Sequence, residues 1–468
     1  MKEMKSPSSL PVIFILTILF CICILLYFLT SLSLLWTNSD FRNVFVSSSR
    51  LSPPLSLEHI VFGLASSRTS WLKQKEFVKI WWKPDRMLGC VFVDGLPLEL
   101  NHTHDSSLLP PVCVSQDSSR FRYTYKHGYR SAIRVARIVS ETVNLNHSDV
   151  RWYVFGDGHT IFFPENLVST LSKYDHELWY YIGSSSEIYE QNKVNSFDMA
   201  FWGAGFAVSA PLAKALAKVL DSCLERYHHL YGSDGRIHAC LAELGVGLTP
   251  ERGFHQVDVR GNIFGLLASH PLAPLVSLSH LDEVDPIYPN KSVIDALHHL
   301  FKSATIDSGR ILQQTVCYDR WFSWTISVSW GYAIEVFNQH LYLHDVLRVQ
   351  DTFSQWKKGA AGNYLFSTRF IHPDRCRGST IFFLDEVHEK RTIATSKYKI
   401  VLPENCTYDP MTSPKKLKDI TIFSRYLSIK QLQAPRRQCC DVLPPKVLTS
   451  LEILIRECRD DELIMMHA

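Results

Sequence analysis

Two aspartates stand where chemistry is easiest to build. Asp157 closes the run RWYVFGD (151–157) and is followed by Gly158 and His159. A carboxylate just past an apolar strand can hold a divalent cation on a diphosphate. Asp234, in Gly232-Ser233-Asp234, could take the proton from an attacking hydroxyl. Each has a plainer reading. A lone aspartate at a strand end is more often a turn or helix cap. A Ser-Asp pair before the helical run RIHACLAEL (236–244) fits an N-cap. Asp94, just past CVFV (90–93), and the turn Trp202-Gly203-Ala204-Gly205 also fall at or near predicted strand ends.

The elements that must position these residues alternate in type. Short apolar runs at 59–65, 90–93, 112–115, 151–155, 177–182 and 201–209 read as strands. Helical stretches run to about Trp82, over 123–143, from Pro164 to about Tyr174, and from Pro211 to about His229. In the second of these, Ile133, Ala136, Val139 and Val143 share one face. Arg130, Arg134 and Arg137 share the other, which reads as solvated, with phosphate contact as the sharper alternative. Strands alternating with helices predict an α/β sheet, whose ligands bind beyond the carboxyl ends of its strands. Past about Lys302 the texture turns β-rich, with strand-like runs at 321–330, 380–384 and 398–402 and a helical face only at 447–458.

No charge lies between Lys5 and Asp40, and 12–36 is almost wholly apolar. That is long enough to span a bilayer and longer than the usual core of a signal peptide. Lys2 and Lys5 precede it, which puts the N-terminus in the cytosol and the rest across the membrane. Four glycosylation sequons begin at Asn101, Asn146, Asn290 and Asn405. Ten of the 12 cysteines lie beyond the apolar stretch, so some are expected to pair, with Cys223 and Cys240 a plausible couple. The expected organisation is a tail (1–11), anchor (12–36), stem (37–56), α/β domain (57–301) and β-rich module (302–468).

Lys+Arg total 49 against Asp+Glu 46, a net charge of +3. That balance carries no nucleic-acid signature. A lumenal hydrolase finds no Gly-x-Ser-x-Gly elbow and no carboxylate pair to retain configuration.

Several long stretches carry a resemblance. They are HIVFGLASSRTSWLKQKEFVKIWW (59–82), SRFRYTYKHGYRSAIRVARIVSE (119–141), VRWYVFGD (150–157), FWGAGFAVS (201–209), GSDGRIHACLAELGVGLTPERGFHQVDVRGN (232–262), PLVSLSHLD (274–282) and APRRQCCDVL (434–443). In this order they resemble the plant fringe-like glycosyltransferases, relatives of fringe and core-1 β1,3-glycosyltransferases. The resemblance implies a GT-A fold, a UDP-sugar donor, a glycan acceptor, Mn²⁺, inversion at the sugar carbon and a type II Golgi membrane protein. It makes Asp157 the first residue of an acidic metal motif and Asp234 the catalytic base. It puts Asp94 and Arg68 beside the donor, and Trp202, Gly203, Ala204 and Gly205 on the acceptor side.

The departures are as informative. Relatives carry three aspartates where this chain has Asp157, Gly158 and His159. Relatives also carry a histidine pair where it has Ser279-His280. A rebuilt metal site would use Asp157, His159 and His280, or His255. The opposing expectation is a fringe-like protein with a weakened or silent site, acting as a sugar-binding or scaffolding partner.

Overall fold

The computed structural model describes residues 10–37, 53–96, 107–356, 362–372, 374, 376–402, 406–427 and 434–464. Met1–Pro54 and Leu55–Ala468 are two separate compact units. In the first, α1 (Leu10–Thr37) is a 28-residue helix that contains the whole apolar stretch. Its side chains are described at 14–16 and 18–30. Among the described residues no helix is long and apolar enough to cross a membrane, so the expected anchor is not established by the structure.

The second unit opens with β1 (Ile60–Ala65), α2 (Trp71–Trp81), β2 (Leu88–Val93), β3 (Val112–Val114), α3 (Ser131–Val143) and β4 (Trp152–Asp157). There follow β5 (Ile161–Phe162), α4 (Pro164–Leu171), β6 (Tyr181–Gly183), α5 (Tyr189–Val194), β7 (Phe206–Ser209), α6 (Ala210–Arg226) and α7 (Ser233–Glu243). Then come β8 (Leu248–Pro250), β9 (Phe254–His255), β10 (Val259–Gly261), α8 (Phe264–Ala268), β11 (Ser277–Leu278) and α9 (Val293–Ile306). The main sheet has seven strands in the order β3-β2-β1-β4-β7-β6-β8. β3, β2, β1 and β4 are parallel, while β7 runs antiparallel between β4 and β6.

Both faces of this sheet are covered. Val61, Tyr153 and Phe155 join Ile133, Val139 and Leu216 in one core. Ile60, Phe62, Leu64 and Val154 join Trp81, Leu167 and Phe162 in another. Strands buried on both sides must be apolar throughout, which explains their continuous rather than alternating runs. α3 starts at Ser131, shorter than the expected 123–143. Its arginines do not form a solvated face. Arg137 is buried and pairs with Asp221 (2.9 Å) and Glu141 (3.5 Å). Arg134 donates to the carbonyls of Ser66 and Phe92, at the ends of β1 and β2. Arg130 donates to the carbonyls of Ser119 and Phe121. Arg137 is thus spent on the protein itself and Arg134 is half-buried against strand-end carbonyls, while Arg130 stays exposed, so the solvated reading holds there.

The C-terminal part is β-rich, as its texture predicts. Eight strands, 314–318, 325–329, 333–337, 380–390, 393–401, 419–425, 450–456 and 439–442 in spatial order, make a second sheet. The stretch 447–458, expected to be helical, instead contains the strand Ser450–Arg456. Leu451, Ile453 and Ile455 are buried while Glu452 and Leu454 are partly exposed, a period of two that a sheet satisfies and a helix does not. The two edge strands of this sheet meet. Cys317 of one is bonded to Cys440 of the other, and Arg437 donates to the Gln314 carbonyl at 2.6 Å.

Ten cysteines form five disulfides: 90–113, 223–240, 317–440, 376–406 and 439–458. The expected Cys223–Cys240 pair is among them, holding α6 to α7. The adjacent Cys439 and Cys440 go to different partners. Asn146 and Asn290 are exposed, as acceptor sites must be, whereas Asn101 and Asn405 lie outside the described residues. Thiol counting under denaturing, non-reducing conditions is expected to find only Cys21 and Cys23 free. Replacing Cys317 and Cys440 by serine opens a link across 123 residues and is expected to cost about 4 kcal/mol in urea unfolding.

Candidate active site

Asp157 is the last residue of β4, in register with Ala65 of β1. Its Oδ1 accepts from the His159 N–H at 2.8 Å and from the Thr160 hydroxyl at 3.3 Å. The plain turn role is therefore real, but it uses one oxygen. Thr160 also donates to the Gly203 carbonyl (2.7 Å), tying this turn to the next one.

That next turn, Trp202–Gly205, is held from three sides. The Trp202 indole N–H donates to the Gly156 carbonyl (2.7 Å). The Trp202 main-chain N–H donates to Asp234 Oδ1 (2.5 Å). The Ala204 N–H donates to Gln256 Oε1 (2.7 Å). A side chain at Gly203 would strike the Gln256 amide, and Gly205 has φ +77°, where glycine alone is unstrained.

Asp234 lies in the first turn of α7, whose N-cap is Gly232 without a side-chain cap bond. The N-cap reading is thus replaced by a contact across the fold to Trp202. The residue keeps some surface, yet its carboxyl group is enclosed by protein. Burial, with the charges of Asp157 and Asp258 added, pushes its pKa up to about 6, against the pull of the Trp202 N–H.

Asp258 is a buried residue that sequence reasoning missed. It accepts from the Ser186 hydroxyl at 2.5 Å and faces His280 Nδ1 at 3.4 Å. Burial lowers the basicity of His280, but Asp258, Asp157 and Asp282 more than reverse this, and its pKa rises to about 9. Its ring lies against Trp356 (5.1 Å), which Arg260 covers at 4.5 Å. His159 faces Asp282 at 3.3 Å and Asp157 at 4.0 Å, accepts from the Gln74 amide at 3.0 Å and meets the Phe77 ring edge-on. The cluster thus gathers Asp157, Asp234, Asp258 and Asp282 around two imidazoles. Asp258 and Asp282 lie inside 232–262 and 274–282, but no spacing in the sequence singled them out.

Asp94 and Arg68 also come together. The Arg68 main-chain N–H donates to Asp94 Oδ1 (2.7 Å), closing the loop after β1 over the end of β2.

The Mn²⁺ implied by the resemblance does not fit this donor set. Two of the motif's three carboxylates are absent, at Gly158 and His159. Ser279 is buried and donates to the carbonyls of Gln256 (2.5 Å) and His255 (3.3 Å). His255 points elsewhere, to Glu187 and His270. Among the described residues no group of three or more His, Cys, Asp or Glu is arranged to hold a metal ion.

A family model described as "Protein of unknown function, DUF604" matches residues 191–440, more than half of the chain. The chain belongs to the DUF604 family. No curated protein matches it. Two solved structures are similar in part. Mouse xyloside xylosyltransferase 1, apo form, is 10% identical, with 41% of this chain and 84% of that one covered, at a TM-score of 0.26. The mannosyltransferase PcManGT from Pyrobaculum calidifontis, in complex with GDP-Man and Mn²⁺, is 12% identical, with 53% and 73% covered, at 0.24. Both are glycosyltransferases, but overlaps this loose bear no weight on the chemistry. The finer likeness to fringe stays with the sequence motifs of this DUF604 member.

The Gly158 departure has a steric cause. A Cβ there would lie 2.5–2.7 Å from Gln74, including that residue's own Cβ. Gln74 is fixed by the Ser66 hydroxyl (2.5 Å) and by His159. α2 therefore fills the space of the motif's second carboxylate. Gly158→Asp alone is expected to destabilise by about 2 kcal/mol through overpacking. Gln74→Gly, which removes the Gln74 Cβ as well, should cost less in the Gly158→Asp background than in the parent in urea unfolding. An unchanged midpoint for the single variant would contradict the packing.

Proposed function

We propose that this chain is an inverting glycosyltransferase that moves a hexose or N-acetylhexosamine from a UDP-sugar to a glycan hydroxyl, with a β1,3 linkage implied by the fringe-like motifs. The observation that supports it most is Asp234, an enclosed carboxylate with a pKa near 6. It sits with Asp157 beyond the carboxyl ends of parallel strands, where α/β sheets bind ligands. A base works best when its pKa lies near the working pH.

In this reading Asp234 takes the proton of the acceptor hydroxyl. The hydroxyl oxygen bonds to the anomeric carbon as the bond from that carbon to the UDP oxygen breaks, so the electron pair leaves with UDP. Negative charge then grows on the diphosphate. The His280 imidazolium, backed by Asp258, is the group here that opposes it. Arg68 and Asp94 border the donor side, and the Trp202–Gly205 turn borders the acceptor side. No step is assigned to a metal.

The setting is proposed on sequence grounds as a single-pass type II Golgi membrane protein with a lumenal C-terminal part. Residues 12–36 would be the anchor. The five disulfides suit such an oxidising compartment. A second reading, a sugar-binding or scaffolding protein without turnover, is favoured by one observation: Gln74 occupies the place of a motif carboxylate.

Three outcomes test the main reading. Asp234→Asn is expected to lower UDP-sugar turnover at least 100-fold while leaving UDP binding in place. The rate should follow a bell, rising as Asp234 ionises through about pH 6 and falling as His280 loses its proton near pH 9. His280 has its folded pKa above the unfolded one, so its ion pairs also stabilise the fold below about pH 6.5 and are lost toward pH 9. Calorimetric titration with UDP should give the same affinity with Mn²⁺ and with chelator. UDP binding without turnover of any donor would leave the scaffolding reading in its place.

A further inference from the structure

Behind the acidic cluster lies a cavity of about 590 Å³, within the size range of sites for small organic ligands. The two spaces share a wall. Along residues 255–258 the chain faces both ways: His255 and Val257 line the cavity, while Gln256 bonds to the Trp202–Gly205 turn and Asp258 faces His280. Ser186 and Glu187 both line the cavity, and Ser186 bonds through the wall to Asp258. The opposite wall comes from the C-terminal part, at 344, 347–349 and 365–367. It is fastened by the Leu365 N–H to the Glu187 carbonyl (2.9 Å) and the Tyr189 N–H to the Asn363 carbonyl (3.0 Å).

Three features mark this cavity as built. Its surface is mostly apolar, formed by Phe254, Leu266, Leu267, Leu347, Leu365 and Phe366 among others. One wall carries a fixed polar chain, Glu187 to His255 Nδ1 (3.1 Å) and His255 Nε2 to His270 Nε2 (2.9 Å). The same Glu187 accepts from the Val257 N–H (2.9 Å). Val257 has φ +52°, a conformation a β-branched residue avoids and one that needs surrounding structure to hold it. The charge is also one-sided. Among the described residues Glu187 is the single carboxylate of the lining, and it is occupied by His255 and the Val257 N–H. Arg252 and Arg348 line the cavity yet are exposed, which puts them at its mouth.

We propose that this cavity is a second ligand site, separate from the acidic cluster, for an amphipathic anion whose apolar body fills the pocket and whose carboxylate or phosphate meets Arg252 and Arg348. The inference is independent of the transferase reading, because no residue lining the cavity takes a part in that reading.

The test uses the full chain in lipid nanodiscs, with empty nanodiscs as reference, titrated calorimetrically with 4-phenylbutyrate, 4-phenylbutyl phosphate and the neutral 4-phenylbutanol. Saturable binding of either anion, at least tenfold tighter than the alcohol, is expected, and the tighter anion identifies the headgroup. Arg252→Glu with Arg348→Glu, both at the surface, should weaken the anions at least tenfold and leave the alcohol unchanged. Leu347→Trp should reduce all three by filling the pocket. Saturating UDP should leave anion binding intact. Equal affinity for the alcohol, no effect of the arginine changes, no saturable binding, or displacement by UDP would each overturn the proposal.

Discussion

Four carboxylates brought to one end of a sheet must be kept from repelling one another, and much of the architecture answers that demand. Asp157 is drawn into its own turn by main-chain and hydroxyl donors. Asp234 leans on the Trp202 N–H and holds its proton to about pH 6. Asp258 shares its charge with Ser186 and the His280 imidazolium. Asp282 faces His159. His280 supplies compensating charge beside Asp258. Crowding of this kind raises pKa values, which is how a site comes to contain both a base poised near pH 6 and an imidazolium that persists to about pH 9.

The Trp202–Gly205 turn is the knot on which that arrangement depends. It receives Asp234 from α7, Gln256 from the stretch after β9, and Thr160 and Gly156 from β4 and its turn. Every one of these contacts uses the backbone or the indole of the turn. The glycines matter because Gln256 approaches Gly203 too closely for a side chain. The C-terminal part reaches the same region, since Trp356 lies on His280 and 363–365 bonds to 187–189. The core that begins at Leu57 runs on through Ile455, so the second sheet is packed into the unit that carries the site.

The altered motif also takes a physical form. Gly158 is glycine because α2 places Gln74 there, and Ser279 is serine where a buried hydroxyl ties adjacent loops through the carbonyls of His255 and Gln256. Both positions, read in one dimension as lost ligands, are in three dimensions occupied packing positions. His159 and His280 face Asp282 and Asp258 instead.

Sequence alone determined what short-range pattern can encode. Apolar runs gave the doubly covered strands β1, β2 and β4, the period of Ile133, Ala136 and Val139 gave the buried face of α3, and the strand-end position picked out Asp157. Cys223 and Cys240 stood out as a plausible couple around a helix–turn–helix, and the structure joins them. Pattern failed where one residue type serves two ends. The basic face of α3 looked solvated, but Arg137 is buried against Asp221 and Glu141 and Arg134 turns to strand-end carbonyls, while Arg130 stays exposed. The run 447–458 mixed apolar and polar residues well enough to suggest a helix, yet its partner strands imposed a period of two. Asp258, Asp282, Gln74 and the cavity beside His255 were invisible, because each is defined by neighbours 70 or more residues away or by empty space between elements. Local sequence sets which backbone a segment prefers; which side chains then meet, and at what charge, is decided only when long-range packing brings distant segments within hydrogen-bond reach.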